Sequence, residues 1–183
     1  SYLKLLDLKK GDRVAAYIPN KIESVICFLA CAKNGIIWSS CSPDFGAQGV
    51  IDRFKQIEPK ALITSDYYFY NGKKINILNK VNEILKQIPS IEKTIVFPYS
   101  QKEKTEIKNF IDFDQVIDNS NLDETFERFD FDHPIYILFS SGTTGEPKCI
   151  VHGAGGSLIQ HKKEHQLHLD INKNDKVFYF TTC

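Results

Sequence analysis

Methionine is absent from the 183 residues of this sequence, so the chain does not begin at an initiating codon. The sequence also stops at Thr181-Thr182-Cys183, directly after an apolar run at 177–180 that is typical of a strand. A natural domain rarely stops inside a strand. We therefore expect an internal piece of a longer protein, and motifs in such a piece describe the function of the longer protein.

An excess of one charge and a long apolar run are also missing. The 23 basic residues balance the 23 acidic ones, whereas a nucleic-acid-binding protein is normally basic. No apolar run reaches the roughly 18 residues that a membrane helix needs. We expect neither nucleic acid nor a membrane as a partner. A hydrophobic content of 42% is enough for a folded core.

Paired cysteines are missing as well. The five cysteines, at positions 27, 31, 41, 149 and 183, are odd in number and include no Cys-x-x-Cys pair. This pattern argues against a disulfide framework and a zinc site, and favours reduced thiols in a cytoplasmic protein. Cys27 and Cys31 are one helical turn apart, and we expect them to pack in the core.

The hydrophobic pattern alternates between short strands and helices. Helical spacing is found at 22–29, where Asn20 and Glu23 are expected to form a capping box and Asn34-Gly35 to stop the helix, and at 50–57, 77–88 and 158–169. Residues 100–132 are polar, and we expect a surface excursion with little regular structure. Strands are predicted at 12–19, 36–40, 61–65, 94–97, 135–139, 149–151 and 177–180. This alternation predicts an α/β fold of βαβ units with a largely parallel sheet.

One segment between two predicted strands concentrates groups that bind phosphate. Glycines let several backbone N–H groups converge on one anion, hydroxyls add donors, and a lysine adds positive charge. The segment differs from a Walker A loop, because its glycines are three residues apart and its lysine follows proline. A Ser/Thr/Gly-rich hairpin tip without a ligand is the alternative. The residues are Ser140, Ser141, Gly142, Thr143, Thr144, Gly145, Glu146, Pro147 and Lys148.

The same segment resembles the phosphate-loop signature of the adenylate-forming superfamily, which includes acyl-CoA synthetases, peptide-synthetase adenylation domains and luciferases. Other blocks of the chain resemble one family within it, the acetoacetyl-CoA synthetases. The resemblance is weakest across 75–132. The blocks are GDRVAAYIPN (11–20), WSSCSPDFG (38–46), DRFKQIEPK (52–60), YNGK (70–73) and IVHGAGG (150–156).

This resemblance implies a fold and an activity. Residues 1–183 would be part of the N-terminal, AMP-binding domain of an adenylate-forming ligase, without its C-terminal domain. The ligase would join acetoacetate to coenzyme A at the expense of ATP, with Mg²⁺ and an acetoacetyl-AMP intermediate. Residues 140–145 and Lys148 would bind the ATP phosphates, with Lys148 and Thr143 acting directly in catalysis. No metal-ligand cluster is evident in the chain.

A weaker part of the resemblance concerns coenzyme A. In related acetyl-CoA synthetases an Arg-Gly-Gly-Lys-like stretch contacts the nucleotide end of CoA, and Tyr70, Asn71, Gly72 and Lys73 stand at the matching place. The arginine of that stretch is replaced by Tyr70. The alternative for these residues is a solvated turn that carries two lysines.

Several residues have more than one interpretation. His161, His165 and His168 share a helix face that could bind zinc, but a solvated helix is favoured. His152 is expected to orient the phosphate loop, whereas Trp38 and Phe45 suit an acyl pocket or ordinary packing. For the whole protein, the alternatives are another short-chain acyl-CoA synthetase, such as acetyl-CoA synthetase, and a non-catalytic nucleotide-binding module.

Overall fold

The structure is a computed structural model that describes residues 3, 6–99, 110–113, 116, 126–140, 145–179 and 181. A π-helical turn, Glu164–His168, continues the last helix. In chain order the strands and helices are β1 (Arg13–Tyr17), α1 (Ile22–Lys33), β2 (Ile37–Cys41), α2 (Ala47–Ile57), β3 (Ala61–Ser65), β4 (Tyr67–Tyr70), β5 (Lys73–Asn76), α3 (Leu78–Gln87), β6 (Lys93–Phe97), β7 (Phe110–Asp112), β8 (Pro134–Ser140), β9 (Lys148–Gly153) and α4 (Ala154–Lys163).

In the described part of the chain, seven strands form one sheet in the order β7-β6-β3-β1-β2-β8-β9, and β4 and β5 form a separate ribbon. Every neighbouring pair in the large sheet is parallel except β8 and β9. The central strands β1 and β3 are buried along almost their whole length, which explains their apolar sequences. The predicted α/β fold with a largely parallel sheet is confirmed.

Helices cover both faces of the sheet. On one face α2 and α3 bury Phe54, Val81 and Ile84 against strand residues such as Leu62. On the other face α1 packs Cys27 and Cys31 over a second cluster, which includes Trp38. Alternate residues of each central strand point to opposite faces, so both clusters draw on the same strands.

Helix α1 begins differently from the prediction. Its N-cap residue is Lys21, which makes no side-chain capping bond, so the predicted capping box of Asn20 and Glu23 is wrong. The carboxylate of Glu23 lies 3.2 Å from the Lys21 ammonium, which also donates to the main-chain oxygen of Tyr99. The Asn20 amide instead donates to the main-chain oxygen of Thr181. Both predicted capping side chains are thus engaged elsewhere.

The apolar spacing of α1 predicted the helix but not its buried face. The residues that face the core are Ser24, Cys27 and Cys31. The predicted packing of the two cysteines is confirmed, and burial raises the pKa of Cys27 to about 12 and that of Cys31 well above its usual value. The four apolar residues that predicted the helix are 44–72% exposed: Ile22, Val25, Ile26 and Leu29.

Two further predictions need correction. The segment 100–132 contains β7, which pairs with β6, and Phe113 beyond it packs edge-on against Phe97 at 5.9 Å between ring centroids. The apolar residues at 110–111 form a strand although their neighbours in the sequence are polar, because the open side of β6 offers a strand to pair with. Residues 177–179 form no strand and are 63–87% exposed. No strand among the described residues pairs with them.

The last predicted helix starts earlier than expected, because Gly153 ends β9 and α4 follows at once from Ala154. Its second half continues into the π-helical turn, within the predicted 158–169. None of the helices in the described residues is long and apolar enough to cross a bilayer.

Candidate functional site

The loops that follow the parallel strands meet at one edge of the sheet. Strands β1, β2, β3, β6 and β8 run in the same direction, so their carboxyl ends lie together. In open α/β sheets this edge is where ligands bind. It carries three segments singled out in the sequence, which are the end of the block 38–46 after β2, residues 70–73 in the β4–β5 ribbon after β3 and the phosphate segment after β8.

The phosphate segment joins two strands, as predicted, and the structure shows that these strands, β8 and β9, form an antiparallel hairpin. Ser140 and Lys148 are opposite each other in the register, so the two ends of the predicted phosphate loop are cross-strand neighbours. Gly145 has φ +136°, a conformation that strongly favours glycine, and a Cβ there would meet no atom of the described residues within 4 Å. The remaining predicted phosphate ligands lie outside the described residues: Ser141, Gly142, Thr143 and Thr144.

Lys148 lies on the same face of the hairpin as an apolar cleft. Residues of β9 alternate between faces, so Lys148, Ile150 and His152 share one face with their partners Ser140, Leu138 and Tyr136. His152 stacks on Tyr136 at 4.7 Å between ring centroids. The cleft has a volume of about 640 Å³, and its lining includes Trp38, Tyr136, Leu138 and His161.

The turn that follows β2 is held by a buried tyrosine. The Tyr17 hydroxyl lies 2.9 Å from the Pro43 oxygen and 2.8 Å from the Phe45 oxygen. Burial raises the pKa of Tyr17 above its usual value, so the hydroxyl stays protonated and donates. Phe45 lies under the Arg53 guanidinium at 4.6 Å, whereas Trp38 lines the cleft and packs edge-on to Phe28.

The β4–β5 ribbon presents the predicted CoA residues at its tip. Asn71 and Gly72 have φ of +48° and +72°, as in the two-residue turn that suits the twist of a hairpin. Tyr70 and Lys73 are cross-strand partners and both are exposed. Lys74 faces the other way, with its ammonium 4.0 Å from the Tyr67 ring. An Asn-Gly pair is typical of two-residue hairpin turns, so Asn71-Gly72 could have predicted this hairpin from the sequence.

The three histidines of the last helix lie on exposed positions. His161 and His165 have ring centroids 6.3 Å apart, and His161 also borders the cleft. His168 is in the π-helical turn. Among the described residues, no group of three or more His, Cys, Asp or Glu side chains could hold a metal ion.

Sequence reasoning missed one residue that contacts the phosphate hairpin. Gln56, near the end of α2, hydrogen-bonds to residues on both sides of Lys148. A glutamine on a helix gives no sequence signal for a contact 91 residues away, so only the structure could identify it.

The profile of the family described as "AMP-binding enzyme" matches residues 1–182. This chain therefore belongs to the AMP-binding enzyme family. It is similar to an acetoacetyl-coenzyme A synthetase of Rhizobium meliloti (strain 1021), with 47% identity over 99% of this chain and 28% of that protein. It is also similar to an acetoacetyl-CoA synthetase of Gallus gallus, with 44% identity over 98% of this chain and 28% of that protein.

A solved structure agrees with these relatives. An acetoacetyl-CoA synthetase from Streptomyces lividans superimposes with a TM-score of 0.93 and 39% identity, over 98% of this chain and 27% of that one. The resemblance stated from the sequence motifs is thereby confirmed. The chain spans about 28% of the length of the curated relatives.

Proposed function

We propose that the longer protein to which this chain belongs is an ATP-dependent acetoacetate–CoA ligase, and that residues 1–183 are part of its adenylate-forming domain. The observation that carries the proposal is the pairing of Ser140 with Lys148 at the mouth of a loop on the ligand-binding edge of the sheet. The acyl substrate is inferred from relatives that are named acetoacetyl-CoA synthetases.

In the first step, a carboxylate oxygen of acetoacetate attacks the α-phosphorus of ATP. The bond from that phosphorus to the bridging oxygen breaks, and pyrophosphate leaves with its electrons. The hydroxyls of residues 140, 141, 143 and 144 and the N–H groups of Gly142 and Gly145 would hold the phosphates. Thr143 and Lys148 would act on the phosphate that develops charge. Such transfers are catalysed mainly by positioning and by charge stabilisation.

Magnesium fits this scheme as part of the nucleotide substrate. The described residues offer no cluster of metal ligands, and the loop residues are donors suited to phosphate oxygens. We propose that Mg²⁺ arrives bound to the phosphates of ATP, as is usual for this ion.

In the second step, the thiol of CoA attacks the carbonyl carbon of acetoacetyl-AMP and AMP leaves. Tyr70, Asn71, Gly72 and Lys73 would bind the nucleotide end of CoA, since the ribbon tip is exposed at the same edge as the phosphate loop. Lys73 would supply positive charge for the CoA phosphates.

The buried thiols and the charge balance bear on the cellular setting of the protein. Three buried, unbridged thiols, Cys27, Cys31 and Cys41, suit a reducing compartment such as the cytoplasm. The balanced charge favours small-molecule partners over nucleic acid.

The test is ATP–pyrophosphate exchange by the full-length protein. Exchange should depend on acetoacetate and be weaker with acetate or with malonic acid monoamide. Malonic acid monoamide is included because a relative with 40% identity is a malonamoyl-CoA synthetase of Penicillium aethiopicum. Lys148→Ala should slow exchange by about 10–10³-fold with little change in melting temperature, because its charge serves the transfer step. Lys173→Ala, at another exposed lysine, is the matched control.

Two results would contradict the proposal. Exchange that is faster with acetate than with acetoacetate would indicate a different short-chain acyl-CoA synthetase. Exchange that is unchanged in Lys148→Ala would remove Lys148 from the phosphate site.

A further inference from the structure

The end of helix α2 is fixed on the sheet. Phe54 and Ile57 are buried, and the Arg13 side chain donates to the main-chain oxygens of Ile57 and Glu58 at 2.6 and 3.1 Å. Glu58 then ends the helix in a left-handed conformation, with φ +45°. Gln56, inside this last turn, therefore projects from a rigid support.

The Gln56 amide joins this support to the second strand of the phosphate hairpin. Its Nε2 donates to the Pro147 oxygen at 2.9 Å and to the Asp52 oxygen at 2.7 Å. Its Oε1 accepts from the Cys149 thiol at 3.4 Å. The amide fits only this way round, because the reversed group would set its oxygen against two carbonyl oxygens. The contacts with Pro147 and Cys149 are therefore made by the residues immediately before and after Lys148.

Within the described residues β9 is the terminal strand of the sheet, so its contacts near the loop determine how the hairpin is held there. In the described residues β9 pairs only with β8, and residues 148–151 are exposed. The β8 strand is tied to β2 further from the loop, where Trp38 is opposite Tyr136 and the Ser39 hydroxyl donates to the Ile137 oxygen at 2.8 Å. Near the loop, the hydrogen bonds from β9 and Pro147 to the rest of the described chain go to Gln56.

Gln56 contacts the residues on either side of Lys148, and the Lys148 side chain points to the face of the hairpin that carries the cleft. Cys149 and Lys148 are neighbours in a strand, so their side chains point to opposite faces, and Gln56 lies on the Cys149 side. A change at Gln56 would therefore alter the support of the strand beside Lys148 from the face opposite to the Lys148 side chain.

We propose that Gln56 is a positioning residue that sets Lys148 for the transfer step. This inference rests on the proposed function. A displacement of about 1 Å at a catalytic group can cost up to about 10²-fold in rate. Because the Gln56 amide is used by Asp52, Pro147 and Cys149, we expect its loss to lower kcat for exchange and to leave the KM for acetoacetate nearly unchanged.

The decisive experiment is a double-mutant cycle in the full-length protein. Gln56→Ala should lower kcat for ATP–pyrophosphate exchange by about 10-fold, and by less than about 2-fold when Lys148→Ala is already present. Gln56→Glu keeps the size of the side chain but turns a carboxylate oxygen toward two carbonyl oxygens, so it should be at least as slow as Gln56→Ala. Gln48→Ala, which removes a hydrogen bond within the same helix, is the matched control and should stay near wild type.

A second readout is independent of catalysis. Alkylation of Cys149 by iodoacetamide, followed on its own peptide by mass spectrometry, should become several-fold faster in Gln56→Ala and stay unchanged in Gln48→Ala. The thiol loses its acceptor and the strand loses its tie to α2 in the first variant only.

The outcomes separate this inference from the proposed function. A wild-type protein without acetoacetate-dependent exchange refutes the proposed function, and this inference falls with it. With an active wild type, an equal loss in both backgrounds of the cycle, no loss in Gln56→Ala, or unchanged alkylation of Cys149 overturns the positioning role alone.

Discussion

The two edges of the central sheet differ in whether buried polar atoms are left without a partner among the described residues. At the amino edge, where β1, β2, β3 and β6 begin, the polar side chains bind the main chain and one another. Arg13 donates to the end of α2, and the Lys60 ammonium lies 2.9 Å from the Asp12 carboxylate. These contacts pair the polar groups of the amino edge with groups of the protein itself.

At the carboxyl edge, polar groups are less completely paired. The two buried side-chain oxygens that lack a hydrogen-bond partner in the described residues, Glu23 Oε2 and Asp66 Oδ2, both follow the carboxyl ends of strands. Lys73 and Lys148 are exposed at this edge. An unpaired buried oxygen costs about 1–3 kcal/mol, so each of these two oxygens lowers stability at this edge. A binding edge has to keep donors and charges available for its ligand.

The comparison predicts that changes at the carboxyl edge reduce activity while changes at the amino edge reduce stability. The largest expected effect is at Gly145. Gly145→Val should abolish ATP turnover, because a branched side chain at φ +136° is strained and its Cβ blocks the approach of phosphate. The measurement is acetoacetate-dependent AMP formation by the full-length protein.

The control for this variant is Gly156→Ala in α4. A Cβ at Gly156 also meets open space, but that glycine is helical, so alanine should leave activity intact and stabilise the helix by about 0.5–1 kcal/mol. Normal turnover in Gly145→Val would contradict the phosphate loop and favour a plain hairpin tip.

A moderate effect is expected at the ribbon tip. Lys73→Ala should raise the KM for CoA by about 3–10-fold, as for a partly solvated charge contact, and leave ATP–pyrophosphate exchange unchanged. The matched control is Lys93→Ala, an exposed lysine at the amino edge, which should change neither quantity. An unchanged KM for CoA in Lys73→Ala would favour the solvated turn.

The smallest effect is expected from the Asp12–Lys60 pair. Burial alone would raise the pKa of Asp12, but the hydrogen bonds from Lys60 and from the Lys9 N–H outweigh it and lower that pKa. The same contact raises the pKa of Lys60. The stabilisation from the carboxylate is therefore present above its unfolded pKa of about 4 and lost as the pH falls through the lower folded value.

Urea denaturation of the wild type and of Asp12→Asn should reveal this dependence. The difference in midpoint should be steady from about pH 5 to 9 and shrink below about pH 4. It should shrink again above about pH 10.4, as Lys60 loses its proton through its raised pKa. A difference that does not vary with pH would show that the pair makes no charge-dependent contribution.

The sequence predicted most of the sheet, because buried parallel strands are continuous apolar runs bounded by turn residues. The strands at 61–65 and 94–97 match β3 and β6 closely. It failed where tertiary contacts compete with local pattern. Asn20 is a good capping residue by type, but its amide donates to the Thr181 oxygen, and the apolar run at 177–179 pairs with no strand of the described residues.

The candidate site was predictable only where one short segment carries the chemistry. The phosphate segment could be identified because its glycines, hydroxyls and lysine are consecutive, and its position between two strands is confirmed. The role of Gln56 could not be predicted, since it depends on how helix α2 is placed against β9. The binding roles at 140–145, Lys148 and 70–73 remain predictions.

The pairing of β2 with β8 has a consequence for synthesis on the ribosome. Trp38 is opposite Tyr136, so 98 residues of translation separate the two partners. At about 5–20 residues per second, the nascent chain carries an unpaired β2 edge for about 5–20 s. The phosphate hairpin acquires its support on the sheet only when that interval ends. Closing so long a loop is a slow, entropically costly step. The strand edge left open meanwhile is exposed to pairing with other nascent chains.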